Sequence, residues 1–157
     1  YTGGTIGMIR DPESGHLGSV DFNSVYEHIP ELKRLQIEIT TLSFSDPVDS
    51  SEMGPKDWVE ITNVIEKEYD HFDGFVVLGC VIKGETPHFE LICSATFNSI
   101  QNLSINFNKP IGNGIITALN INQAKQRSKK TNGKKPNKGS EAANAVITIL
   151  KNGPNKI

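Results

Sequence analysis

Apolar positions along this chain recur with a helical period in some stretches and run together in others, and that alternation sets the expected elements. Trp58, Ile61, Val64, Ile65 and Tyr69 fall at helical spacing and predict an amphipathic helix over 55–70, with Pro55 where a first turn tolerates it. The stretch "GFVVLGCVI" is a nearly continuous apolar run, the pattern of a parallel strand covered on both faces. Beyond "KGETPH", the positions Phe89, Ile92, Cys93, Phe97, Ile100, Leu103 and Phe107 predict a long helix over 89–107 with one buried stripe. "PIGNGIITAL" reads as a further strand, "INQAKQRSKK" as the start of a helix, "TNGKKPNKG" as a loop, and "SEAANAVITILKN" as a final helix opened by Ser140.

The upstream part is less regular. "TGGTIGMI" is a Gly-rich turn, "DPESGHLGS" an exposed hairpin or loop, and "DFNSVYEHIPELKRL" a short helix ended or kinked near Pro30. "QIEITTLSF" alternates as a strand does, and "SDPVDSSEMG" is a loop. Strands alternating with helices predict an α/β fold, a three-layer sandwich with a mainly parallel sheet and helices on both faces, on the flavodoxin-like plan. A chain of 157 residues suits a single domain, 1–157, with a core of its own. Ligands of such sheets bind beyond the carboxyl ends of strands, which directs attention to the loops at 2–7, 45–52 and 79–88.

Charge adds a boundary. Residues 1–77 carry 15 acidic and 5 basic side chains against 3 and 11 in 78–157, so a charge of −10 precedes one of +8. The break falls at the apolar strand, near 75–79. No apolar run approaches the ~20 residues of a bilayer span, and no basic-then-apolar leader opens the chain, so the expectation is a cytoplasmic protein with no membrane partner. Cys80 and Cys93 lie in apolar stretches and read as two buried, reduced thiols; no His or Cys stands at ligand spacing, so no metal site is expected. The basic run "SKKTNGKKP", residues 128–136, reads as a solvated loop; nucleic-acid binding is the alternative, and no interleaved aromatic residues support it.

The compact segment between strand and helix holds the clearest chemistry. Gly84, Glu85 and Thr86 would present backbone N–H groups at the start of the following helix, where an anion is welcome, with Thr86 as cap and Pro87 in the first turn. His88 sits beside them; such an imidazole can shuttle protons, and it can equally be a surface or capping residue.

"VLGCVIKGETPHFELI", "KPIGNGIITALNINQAKQR" and "NKGSEAANAVI" resemble the 6,7-dimethyl-8-ribityllumazine synthase family over residues 76–150. The resemblance implies a cofactor-free condensation, in riboflavin biosynthesis, of a ribitylaminopyrimidinedione with a dihydroxybutanone phosphate. It implies that Gly84, Glu85 and Thr86 line the phosphate end, that His88 transfers the proton, that Arg127 grips phosphate, and that Lys138 lies at the substrate pocket. Asn113 stands where the family has an aromatic residue against the pyrimidine ring. The family also implies a homo-oligomer, a pentamer or larger shell, in which a neighbouring subunit completes each site.

"YTGGTIGM", "DSSEMGPKDW" and "EKEYDHFDGFVVL" resemble the N-terminal part of bacterial cytoplasmic type I L-asparaginase over residues 1–78. That resemblance implies Thr5 as nucleophile and Ser50 and Ser51 as binders of the substrate amino acid, with His16 in place of an assisting loop Tyr. It departs after Leu78, where Gly79-Cys80-Val81 replaces the segment that supplies a second Thr and an Asp. The lumazine synthase resemblance has a matching gap, since no Pro-Gly-Ala-type ribityl loop occurs in 1–77. The chain therefore reads as a composite, 1–78 joined to 79–157. Three functions follow: an impaired lumazine synthase, an asparaginase-type amidohydrolase using Thr5, or a non-catalytic α/β scaffold.

Overall fold

A computed structural model of the chain describes residues 8–10, 17–19, 40, 42, 44, 48, 52–129 and 137–153. The chain divides into two compact units, Tyr1–Lys67 and Glu68–Ile157. In the first, β1 (Met8–Arg10) pairs antiparallel with β2 (Leu17–Ser19), Ile9 opposite Gly18, which is the hairpin expected around "DPESGHLGS". Of the strand expected at 36–44, Thr40, Leu42 and Phe44 are described, and none of the three lies in a strand. Helix α1 (Pro55–Glu68) begins as predicted. The Gly54 carbonyl accepts from the N–H groups of Asp57 and Trp58 at 3.1 and 3.2 Å, and Asp57 Oδ2 accepts the Gly54 N–H at 2.7 Å. This reciprocal pairing satisfies donors that a helix start leaves free.

The second unit is built on a parallel pair, β3 (Phe75–Ile82) and β4 (Ile111–Ala118), in register from Phe75 with Ile111 to Ile82 with Ala118. Between them runs α2 (His88–Asn106), and after β4 come α3 (Ile121–Ser128) and α4 (Lys138–Asn152). All three helices pack against β4. Strand β4 accordingly lies at the centre of the core: Ile115, Ile116 and Ala118 are buried, with Ile100 of α2, Ala124 of α3, and Ala142 and Val146 of α4. Gly112 is where α4 comes closest, since a Cβ there would stand 2.5 Å from the Ala142 carbonyl oxygen. Only a glycine admits that approach.

Three expectations about burial need correction. Strand β3 is not covered on both faces: Val76, Leu78, Cys80 and Ile82 are exposed, alternating with half-buried Phe75, Val77, Gly79 and Val81. Paired residues of parallel strands project to one side, so Val76 and Leu78 share the face of Gly112 and Gly114. Helix α4 occupies that face, but Ala142 and Val146 meet it over β4. For the same reason Cys80 is an exposed thiol, and Cys93, on α2, is half-buried, so the two are not both buried. In α2 the expected stripe is mostly peripheral; Ile100 is buried, whereas Ile92, Leu103 and Phe107 are exposed.

The amino edge of the pair is closed by a tight cluster. Lys109 Nζ donates to the carbonyls of Tyr69 and Phe72 at 2.5 and 3.0 Å, and lies 3.8 Å from the Tyr69 ring centroid. Tyr69 belongs to a single 3₁₀ turn (Tyr69–His71) and stacks on Phe75 at 5.5 Å. Ser104 Oγ donates to the Lys109 carbonyl at 2.7 Å and accepts the Ile111 N–H at 3.3 Å, tying the end of α2 to the start of β4. Asn108, at φ 50°, makes the left-handed turn between them, a conformation Asn tolerates better than most residues.

Candidate functional site

The carboxyl edge of the pair is where both following helices begin. The Lys83 N–H donates to the Ala118 carbonyl at 2.8 Å, so the last rung of the sheet leads directly into the 84–87 loop on one strand and into Leu119-Asn120 on the other. Helix α3 is capped by its own sequence. Asn120 Oδ1 accepts the Gln123 N–H at 3.0 Å while Gln123 Oε1 accepts the Leu119 N–H at 2.8 Å. Helix α4 is capped by Asn137, whose Oδ1 accepts the Ser140 N–H at 2.8 Å; Ser140 lies inside the helix and is not its opener.

Helix α2 starts differently. Pro87 occupies the cap position without a side-chain hydrogen bond, so Thr86 is not the cap the sequence suggested, and His88 is the first helical residue. Proline fixes the backbone angle for that position but offers no side-chain acceptor, which leaves the first-turn N–H groups uncapped. Gly84, Glu85, Thr86 and His88 are all exposed, and among the described residues a Cβ added at Gly84 would meet nothing within 4 Å. One ion pair borders this mouth. Lys83 Nζ lies 2.5 Å from Glu90 Oε1, and this hydrogen bond holds the Glu90 carboxyl below its usual range.

The remaining residues implied by the lumazine synthase resemblance stand elsewhere in the unit. Arg127 is exposed, nearly two turns beyond the α3 cap, or about 10 Å along the helix. Lys138 opens α4 and pairs with Glu141 at 3.3 Å. Its neighbour Gly139 packs by Leu78, about 13 Å along the strand from Ile82. Asn113 lies in β4 on the face opposite Gly112 and Gly114, and its Oδ1 accepts the Ile115 N–H at 3.0 Å. The structure thus gathers Gly84, Glu85, Thr86 and His88 at one mouth and leaves Asn113, Arg127 and Lys138 apart from it. Thr5, His16, Ser50 and Ser51 lie outside the described residues. Sequence reasoning passed over Lys83 and Glu90; a lysine ending an apolar strand and a glutamate three places into the next helix are the signal that could have found them.

Comparison with known proteins places this geometry. The family model for 6,7-dimethyl-8-ribityllumazine synthase matches residues 57–152, and that for the asparaginase N-terminal domain matches residues 1–79. A 6,7-dimethyl-8-ribityllumazine synthase of Corynebacterium urealyticum is 34% identical over 118 residues, covering 70% of this chain and 73% of that protein. One from Rhodopirellula baltica is 38% identical over 99 residues, covering 62% and 61%, and one from Cytophaga hutchinsonii 47% over 78 residues, covering 50% and 47%. Against several other relatives the chain spans about half of their length. Among the described residues no helix is long and apolar enough to cross a membrane. The lumazine synthase match extends further upstream than the motifs around Gly84 and His88 indicate, taking in most of α1, and overlaps the asparaginase match over 57–79. The chain belongs to the 6,7-dimethyl-8-ribityllumazine synthase family through its larger, C-terminal part and carries an asparaginase N-terminal family segment in its first half.

Proposed function

We propose that the chain performs, at reduced efficiency, the lumazine synthase condensation of a ribitylaminopyrimidinedione with a four-carbon hydroxyketone phosphate. The observation that carries this is the mouth at the carboxyl edge, where an uncapped helix start, an open Gly84 and His88 in the first turn stand together. The free amides and the helix dipole favour a phosphate there. His88 is then one residue from the loop, able to pass a proton between the two substrates as the condensation proceeds. The condensation calls for no cofactor, and its partners are small molecules, one of them a phosphate.

Arg127, Lys138 and Asn113 stand away from this mouth within one chain, which supports a site completed by a neighbouring copy in a pentamer-like assembly. Arg127 would hold phosphate through its planar fork. The first unit does not supply a recognisable ribityl loop, and Asn113 offers no ring to stack on the pyrimidine, so weak substrate binding is the expected defect. The same reading takes the fold as a flavodoxin-like three-layer plan and the protein as cytoplasmic. The asparaginase alternative through Thr5 is not favoured, because β3 runs on into Gly79-Cys80-Val81 without the partners that would activate a threonine hydroxyl.

The test is lumazine formation from both substrates. Product should exceed the uncatalysed background and fall about tenfold or more in His88→Ala and Arg127→Ala. A folded protein giving no product, or a His88→Ala variant as active as the parent, rejects the reading.

A further inference from the structure

Lys83 ends the sheet and borders the mouth, yet neither resemblance gives it a role. Its backbone is fixed by the hydrogen bond to Ala118, while its ammonium reaches forward to Glu90 in the first turn of α2. The ion pair therefore connects the two ends of the Gly84–His88 segment. Both side chains are open to solvent, 43% and 52% exposed, so an incoming ligand can reach either partner. The Glu90 carboxylate, three places into the helix, holds this ammonium at the rim of the loop. It thus occupies an ammonium, a donor that a phosphate at this loop would use.

Resting on the phosphate-loop reading above, we infer that Lys83 is a phosphate-binding residue and that Glu90 is the internal carboxylate the substrate phosphate displaces from it. The exchange is easy, because an exposed ion pair is held weakly and a dianion attracts the ammonium more strongly than a carboxylate does. In Glu90→Gln, phosphate no longer competes with a carboxylate and no longer faces its charge. A unit charge about 4 Å away in water-like surroundings changes affinity about fivefold, and a dianion feels it twice. A purely structural clamp predicts the opposite sign, since loosening the loop would weaken phosphate binding.

The experiment titrates inorganic phosphate into the full chain, Glu90→Gln, Lys83→Met and Lys83→Arg at low salt, following the Gly84–Glu90 amides by NMR. Glu90→Gln should bind phosphate about five- to twentyfold more tightly, Lys83→Met at least about fivefold more weakly, and Lys83→Arg within about twofold of the parent. Raising the salt should shrink these differences. Unchanged or weaker binding by Glu90→Gln, unchanged binding by Lys83→Met, or no binding by parent and variants alike overturns the inference. Lumazine formation on the same samples separates the two claims. Product without the predicted affinity shifts removes only the Lys83 assignment, and the shifts without product remove only the condensation.

Discussion

Replacing Lys109 by Met tests what closes the amino edge of the parallel pair. Methionine keeps most of the length of the stem and removes the charge and its donors. Two hydrogen bonds are lost, to the carbonyls of Tyr69 and Phe72, together with the ammonium over the Tyr69 ring. A charged donor to a carbonyl contributes about 1.5–3 kcal/mol when buried. Here Phe72 is exposed and water can serve its carbonyl, so about 1 kcal/mol each is the fitting value. The cation–ring contact adds about 0.5–1 kcal/mol. The variant should therefore unfold about 2–3 kcal/mol more easily in urea, read by near-ultraviolet circular dichroism, which reports the stacked Tyr69 and Phe75 rings. A double-mutant cycle with Tyr69→Leu should return about 0.5–1 kcal/mol of coupling for the ring contact. A Lys109→Met midpoint within about 0.5 kcal/mol of the parent would show that apolar packing closes this edge without the cation.

Other consequences concern single positions. Gly112→Ala should lower the thermal midpoint by the equivalent of about 1–3 kcal/mol, because its Cβ would press on the Ala142 carbonyl and Val146, whereas Gly84→Ala, facing open space, should leave it unchanged. Among the described residues the buried Tyr69 hydroxyl has no hydrogen-bond partner, so Tyr69→Phe should keep the ring stack and match or exceed the parent's stability by up to about 1 kcal/mol; a clear loss in the urea midpoint would contradict this. Because the hydrogen bond from Lys83 holds the Glu90 carboxyl below the usual carboxylate range, its contribution is fully present above that range and is lost as pH falls through the lower folded value. Urea midpoints of the parent and Glu90→Gln should accordingly differ at pH 7 and converge as the pH falls below the usual carboxylate range.

Periodic patterns carried the elements of the second unit well. The predicted helix over 89–107 is His88–Asn106, and the strand in "PIGNGIITAL" is Ile111–Ala118. These signals are local, set by spacing that the backbone geometry imposes on any sequence. Burial was harder to read. The apolar run at 75–82 looked buried on both faces because hydrophobicity reports capacity for burial, while the cover on Leu78 depends on where α4 settles. The cap of α4 was misread because "NKGS" offers Asn137 and Ser140, two residues that cap equally well. Lys109 reaches Tyr69 across forty positions, a contact no local pattern encodes.

The site was legible to the extent that its chemistry is continuous in sequence. Gly84 to His88 form one loop and one helix start, so their order alone brings them together. Asn113, Arg127 and Lys138 come from three separate elements, and nothing local says whether one chain unites them. The same contrast explains how two families can share residues 57–79. That stretch holds most of α1, the 3₁₀ turn and the first half of β3, and a parallel α/β unit asks the same of it whatever follows: an amphipathic helix, a short turn, and an apolar strand. Chemical commitment begins only beyond Gly79, where the strand hands over to a loop that must match a particular ligand. A helix and strand of this kind therefore accept a different loop without losing their pattern, and in the proposed function the chemistry falls to Lys83, Gly84 and His88, not to the apolar run that precedes them.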